Sequence, residues 1–233
     1  MIRLVFLLYI LLAYNTAFTQ SIVIAEDLRD EPEREFGMNR KHYTHTWVGL
    51  HFLIGPPETE AAEVLYGRSR SLEFGYRYKR RFSDVFSAGS EWVFRRSAFH
   101  IRQHMGKEVP DTIIHDKEKL IFLQGGAGLY QRVNFAQRGD YIGRFADIGA
   151  YGAWNFHVRQ VTHDVTDNGE RVRTRRTRMD YPATFEYGIM ARLGFNNIVL
   201  KGNYRVSDLF AGSADLPELP RWSAGLEFGL HPY

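Results

Sequence analysis

Eleven charged residues alternate with apolar ones along the chain: Glu73, Arg77, Lys79, Glu91, Arg95, Asp147, Glu186, Arg192, Lys201, Arg205 and Glu227. Five are acids and six are bases. Gathered on one side of a sheet, their natural chemistry is mutual ion pairing. A second set is denser. Arg171, Arg173, Arg175, Arg176 and Arg178 follow closely on Asn168-Gly169, and guanidinium forks match phosphate and carboxylate geometry. A third set is catalytic in type: His100, His104, His115, His157 and His163, with Ser97 and Ser207 as possible hydroxyl partners. No spacing singles out a nucleophile with its base, since such sets are recognised by geometry. His100 and His104 lack a third metal ligand at fixed spacing. No catalytic, metal or cofactor-binding residue is therefore assigned, and an enzyme is not expected.

The elements that must position these residues have a period of two. In the first, Val48, Leu50, Phe52 and Ile54 oppose Trp47, Gly49 and His51. In the second, Leu72, Phe74, Tyr76 and Tyr78 oppose Glu73, Gly75, Arg77 and Lys79. The third sets Phe86, Ala88, Trp92 and Phe94 against Ser87, Gly89, Glu91 and Arg95. The fourth runs from about Leu120 to Val133, with Ile121, Leu123, Ala127 and Leu129 on one face. The fifth starts near Tyr141; Ile148, Ala150, Trp154, Phe156 and Val158 oppose Asp147, Gly149, Tyr151, Asn155 and His157. The sixth carries Phe185, Tyr187, Ile189, Ala191 and Leu193, the seventh Ile198, Leu200, Tyr204 and Val206. The eighth is the alternating Trp222–Leu230 stretch, after which the sequence given ends on Tyr233.

Asn-Gly between alternating runs signals a type I′ hairpin. Folded about Asn168-Gly169, the chain sets Val165 opposite Val172 and Asp164 opposite Arg173, both favourable cross-strand neighbours. The fifth strand then reaches about Asp167. That is far beyond the roughly 9–11 residues a membrane strand needs, so the hairpin should protrude.

The start of the chain reads as a signal peptide over residues 1–20: Arg3, an apolar run from Leu4 to Ala13, then small and polar residues. The run is shorter than the roughly 20 residues of a helical span. Residues 21–42 are charged and aperiodic and read as a periplasmic lead-in to a domain at 43–233. Cysteine is absent, which excludes disulfides and thiolate metal sites. A net charge of +3 gives no nucleic-acid signal.

Export, eight alternating strands and an aromatic carboxy-terminus predict an all-β fold: a closed, up-and-down, eight-stranded antiparallel transmembrane β-barrel in the outer membrane. Tight connections at 82–84 and 196–197, and a slightly longer one at 134–140, alternate with long segments at 55–69, 102–117, 160–180 and 208–220. Short periplasmic turns and long extracellular loops would give that asymmetry. A soluble eight-stranded barrel would show the same alternation with the faces reversed. The interior of eight strands is wide enough only for side chains, and unpaired buried charge is costly. The eleven charged residues therefore read as a salt-bridged plug, with a gated ion or proton path as the alternative. The hairpin arginines read as a contact for lipopolysaccharide phosphate or a partner, or simply as a solvated face. Trp222, Phe228 and Tyr233 read as an assembly signal for the barrel-insertion machinery.

With the eight strands, the protruding hairpin and the terminal aromatic in place, residues 43–233 resemble small eight-stranded outer-membrane barrels of the OmpX and OmpA type. The signal peptide ending near Gln20 and the Tyr204-Arg205-Val206-Ser207 and Gly225-Leu226-Glu227-Phe228 stretches look like the outer-membrane barrels of Bacteroidota, including the PorT-like group. The resemblance is one of pattern and implies no site residue. It implies an integral outer-membrane protein, structural or acting through its loops in adhesion, partner or lipopolysaccharide contact. An accessory subunit of a secretion or assembly complex, a lipid-modifying enzyme and a small pore are the alternatives.

Overall fold

A computed structural model describes residues 40–138, 141–166, 168–212 and 215–230. The expected signal peptide, residues 21–39 of the lead-in, Asp167 and Tyr233 lie outside the described residues. Nine strands form one antiparallel sheet: β1 (His42–Ile54), β2 (Arg70–Arg81), β3 (Phe86–Ile101), β4 (Lys117–Arg138), β5 (Tyr141–Val165), β6 (Arg171–Thr177), β7 (Phe185–Phe195), β8 (Ile198–Arg205) and β9 (Trp222–Leu230). The order is β4-β3-β2-β1-β9-β8-β7-β5-β6, and β4 also pairs with β5. Eight strands thus make a ring in which chain neighbours are sheet neighbours.

The ring follows from the alternation. Register sets Trp47 opposite Gly75, Val48 opposite Phe74 and Gly49 opposite Glu73. The inner face is buried and carries Trp47, Glu73, Arg77 and Glu91, while Val48, Phe74, Trp92 and Leu129 are exposed on the outer face. Glycine lets the inner face close. A Cβ on Gly75 would lie 2.5 Å from the Trp47 indole, and one on Gly194 would lie 2.0 Å from the Phe145 ring.

Three features differ from the sequence expectation. First, Arg171–Thr177 is a separate ninth strand. It pairs with the upper part of β5, and β7 pairs with the lower part of the same edge. The two occupy one column, broken at 178–184. Arg178 has φ 61° there and Pro182 bridges to Phe210. Proline has no N–H to give a ladder.

Second, the hairpin register is shifted by one. Asp164 faces Val172 and Val165 faces Arg171. The Thr166 N–H donates to Glu170 (2.9 Å), and the Gly169 N–H donates to Thr166 (2.7 Å). Gly169 has φ 80°. This is a turn closed by a left-handed glycine, the three-residue hairpin rather than the two-residue one. Gly169→Ala places a side chain in the left-handed region, at about 1 kcal/mol. It is expected to speed proteolysis at the tip several-fold and leave the heat resistance of the ring unchanged.

Third, β5 bulges. Gln124 pairs with Asn155 but Leu123 pairs with His157, so Phe156 is extra. Parity reverses beyond it. Val158 turns in to pack on the upper core, and His157 is exposed, the opposite of the expected faces.

The long connections lie at one end of the ring. Their apolar side chains fold inward with strand residues into one core: Ala62, Val64, Val109, Leu209, Phe210 and Leu219 pack with Leu53, Phe99, Ile101, Leu120 and Phe122. The tight turns lie at the other end.

Candidate functional site

Below that apolar layer the ring is filled by charge. Arg95 donates to Glu186 (3.1 Å) and to Glu73 (2.6 Å). Lys201 Nζ lies 3.0 Å from both Glu73 and Glu227. Arg77 donates to Glu227 (2.9 Å) and, through Nε and Nη2, to Glu91 (3.1 and 2.9 Å). Arg192 donates to Glu91 (2.6 Å), and its Nε lies 3.2 Å from Asp147. Asp147 accepts two bonds from Arg132, 2.7 and 2.9 Å. Five acids and five bases thus form one continuous, charge-balanced chain. Aromatic rings line it. Arg77 and Lys201 lie 4.9 and 4.8 Å from the Trp47 ring, and Arg132 lies 3.5 Å from that of Phe145.

All eleven interior residues named from the sequence are buried, but they do not all join this chain. Arg205 pairs with Glu218 (2.7 Å) and donates to the Ser207 and Leu219 carbonyls, so it anchors the 206–221 connection instead. Lys79 lies 5.9 Å from the Tyr43 ring, toward the tight-turn end. Arg132 was missed, although it shares the parity opposite to Leu129, Ala127 and Leu123.

A second polar cluster lies at the upper mouth. Lys107 Nζ is 2.5 Å from Glu118 and 3.5 Å from Asp111. Gln160 donates to Glu118 (2.6 Å), as does Gln103 (3.1 Å). Lys107 and Glu118 are fully buried, in an aperiodic connection and at a strand end that no alternation flags. His115 Nδ1 lies 2.9 Å from Asp164, in a cleft of about 170 Å³ that also holds Thr162, Thr174 and Arg176. Burial, then the Glu118 and Asp111 carboxylates, push the nearby Tyr181 phenol up, so it stays protonated.

Two acid–histidine groups could hold a cation: His51 with Glu73 and Glu227, and Asp111 with His115 and Glu118. In both, lysine ammonium already sits against the carboxylates, Lys201 in the first and Lys107 in the second. Among the described residues, His115 is the one catalytic-type residue with an acid partner at hydrogen-bond distance, Asp164. The Ser207 Oγ accepts from the Tyr187 N–H (3.0 Å).

The hairpin residues Asn168, Gly169, Arg171, Arg173, Arg175, Arg176 and Arg178 are exposed. Register points Arg171, Arg173 and Arg175 outward, while Arg176 lines the His115 cleft. Trp222 and Phe228 are exposed on the outer face of β9.

Among the described residues, small cavities of about 30 and 20 Å³ lie inside the ring. Either holds one or two waters at most. Fold and site define a class: an all-β ring, apolar outside and ion-paired inside. No family model matches the chain, and no curated protein matches it either.

Proposed function

We propose that this chain is an integral outer-membrane β-barrel, closed by its own interior ion pairs, that meets other molecules at its long-loop end. It acts structurally or through those loops, in adhesion or partner contact. One observation carries the reading: polarity is inverted on every strand of the ring. Val48, Phe74, Trp92, Leu129, Ile148, Ile189, Leu200 and Phe228, one from each ring strand, are exposed. Glu73, Glu91, Asp147, Arg192, Lys201 and Glu227 are buried. A water-soluble barrel would have these faces the other way round, because large contiguous apolar surface is avoided in water.

The belt also has the right height. On β7 it runs from Phe185 to Phe195. Ten rises of about 3.4 Å, at a tilt of about 40°, give roughly 25 Å, the apolar band of an outer-membrane barrel. The ion-pair chain and the loop-derived apolar layer together support a plugged interior over a pore.

The chain refolded into detergent micelles is expected to run as a compact band that shifts only on boiling, and to give no steady current in a planar bilayer. A chain that stays soluble without detergent and shows no heat-dependent shift would sink the membrane reading. Steady single-channel conductance would recast the ion-pair chain as the wall of a path.

A further inference from the structure

We propose that the outer face of β2 to β6 is a binding site for an acylated, phosphate-bearing lipid. This rests on the outer-membrane reading above and names the ligand of one face of the ring.

The lower half of the site is an open apolar groove of about 850 Å³ on the outer face. Its floor is Gly125, Ala127 and Gly152; Trp92, Phe94 and Trp154 form its walls. Most inward glycines of the ring are held small by a neighbour. These two outward ones are not. A Cβ on Gly125 would find nothing nearer than 4.0 Å, and one on Gly152 nothing nearer than 3.9 Å. The hollow is therefore not demanded by packing within this chain. The bulged Phe156 closes its top, 5.7 Å from Phe94 and 6.1 Å from Trp154, ring to ring.

The upper half is cationic. Arg96 stands two residues above Phe94 on the same face of β3, about 7 Å along the strand. Register carries the band on through Arg70, Lys119, Arg159, Arg173 and Arg175. Lys119 feels the charges of Arg173, Arg96 and Arg159 at once. Among the described residues, none of these six cations has a carboxylate at ion-pair distance, whereas the five bases of the interior chain are balanced by its five acids. The Arg159 Nε is buried with no hydrogen-bond partner.

Like charges gathered without counter-charge attract an anion, and guanidinium forks suit phosphate. The apolar groove directly below them suits acyl chains. The cations sit toward the long-loop end, at the edge of the apolar belt, where a lipid head group would lie. One molecule with phosphates above and acyl chains below satisfies both halves.

The test uses the full mature chain refolded in detergent, first shown to be heat-modifiable on a gel. Native mass spectrometry then measures retention of diphosphoryl lipid A, the same lipid stripped of phosphate, and a zwitterionic phospholipid, each with and without millimolar inorganic phosphate. One lipid A is expected to stay bound, at least ten-fold tighter than either comparator. Two variant sets should each lower that retention at least ten-fold while leaving the gel shift unchanged: Arg96→Gln with Lys119→Gln and Arg159→Gln, and Gly125→Leu with Gly152→Leu. If both sets retain lipid A as the parent does, the site is elsewhere and the proposal falls. If inorganic phosphate displaces the lipid and the glycine variants change nothing, the band is an anion site and the lipid assignment is wrong. If no heat-modifiable form exists at all, the barrel reading falls and takes this site with it.

Discussion

Glu91→Ala is expected to lower the stability of the folded ring by about 3–5 kcal/mol, the usual loss when one partner of a buried ion pair is removed. Glu91 accepts from Arg77 and Arg192 and lies 3.7 Å from Lys201. Removing it leaves three cations facing one another, with the remaining acids already engaged. With a urea slope of about 2 kcal/mol per molar, the unfolding midpoint of the heat-modifiable band should fall by roughly 1.5–2.5 M. The companion variant separates charge from volume. Glu91→Met with Arg192→Met removes one acid and one base, so the chain stays balanced, and Asp147 keeps both bonds from Arg132. It should recover most of the loss, because matched apolar replacement of a buried pair is often neutral. An unchanged midpoint in Glu91→Ala would mean that water screens these charges, and the interior would then not be a dry plug.

The same residues show what the sequence could and could not reveal. Strict alternation made β1, β2, β7 and β9 legible, and with them the burial of Glu73, Arg77, Glu186 and Glu227. A period of two is a purely local signal, and the ring forms by satisfying it. Partner identity is not local. Arg205 looked like another member of the interior set, yet its partner Glu218 comes from an aperiodic connection. Lys107 and Glu118 were invisible for the same reason. The bulge at Phe156 shows a different limit. One inserted residue reverses every later face of β5, and nothing in the Phe156-His157-Val158 stretch announces it. The hairpin register differs by one residue because Asn-Gly serves both two- and three-residue loops, and the hydrogen bonds from Thr166 to Glu170 and from Gly169 to Thr166 distinguish them.

Gly75→Leu is expected to lower the urea midpoint of the heat-modifiable form by roughly 1.5 M or more, and Trp47→Ala in the same chain to restore much of it. Gly75 and Trp47 are directly opposed across β1 and β2. A Cβ on Gly75 would stand 2.5 Å from two carbons of the indole, far inside contact distance. Overpacking a core usually costs about 1–3 kcal/mol, with neighbours relaxing to make room. Here the indole has little freedom to relax, since Trp47 is fully buried and the Arg77 and Lys201 cations lie against its ring. The loss should therefore reach or exceed about 3 kcal/mol, the top of that range. Trp47→Ala alone empties the same space and should cost about 3–5 kcal/mol, as buried tryptophan truncations do. The double variant swaps which strand carries the bulk, so its loss should be smaller than either single loss, a coupling opposite in sign to additivity. Urea midpoints of the four chains measure it. The outcome also bears on function. Tolerance of Gly75→Leu without rescue would mean that Trp47 has room to swing aside. A ring with that much slack at its centre could open a path, and the current measurement would have to be repeated on that variant. Intolerance with rescue fixes the indole, the two cations against it and the acids they hold as one packed layer across the ring. What the protein does must then be done from its outer face and its loops.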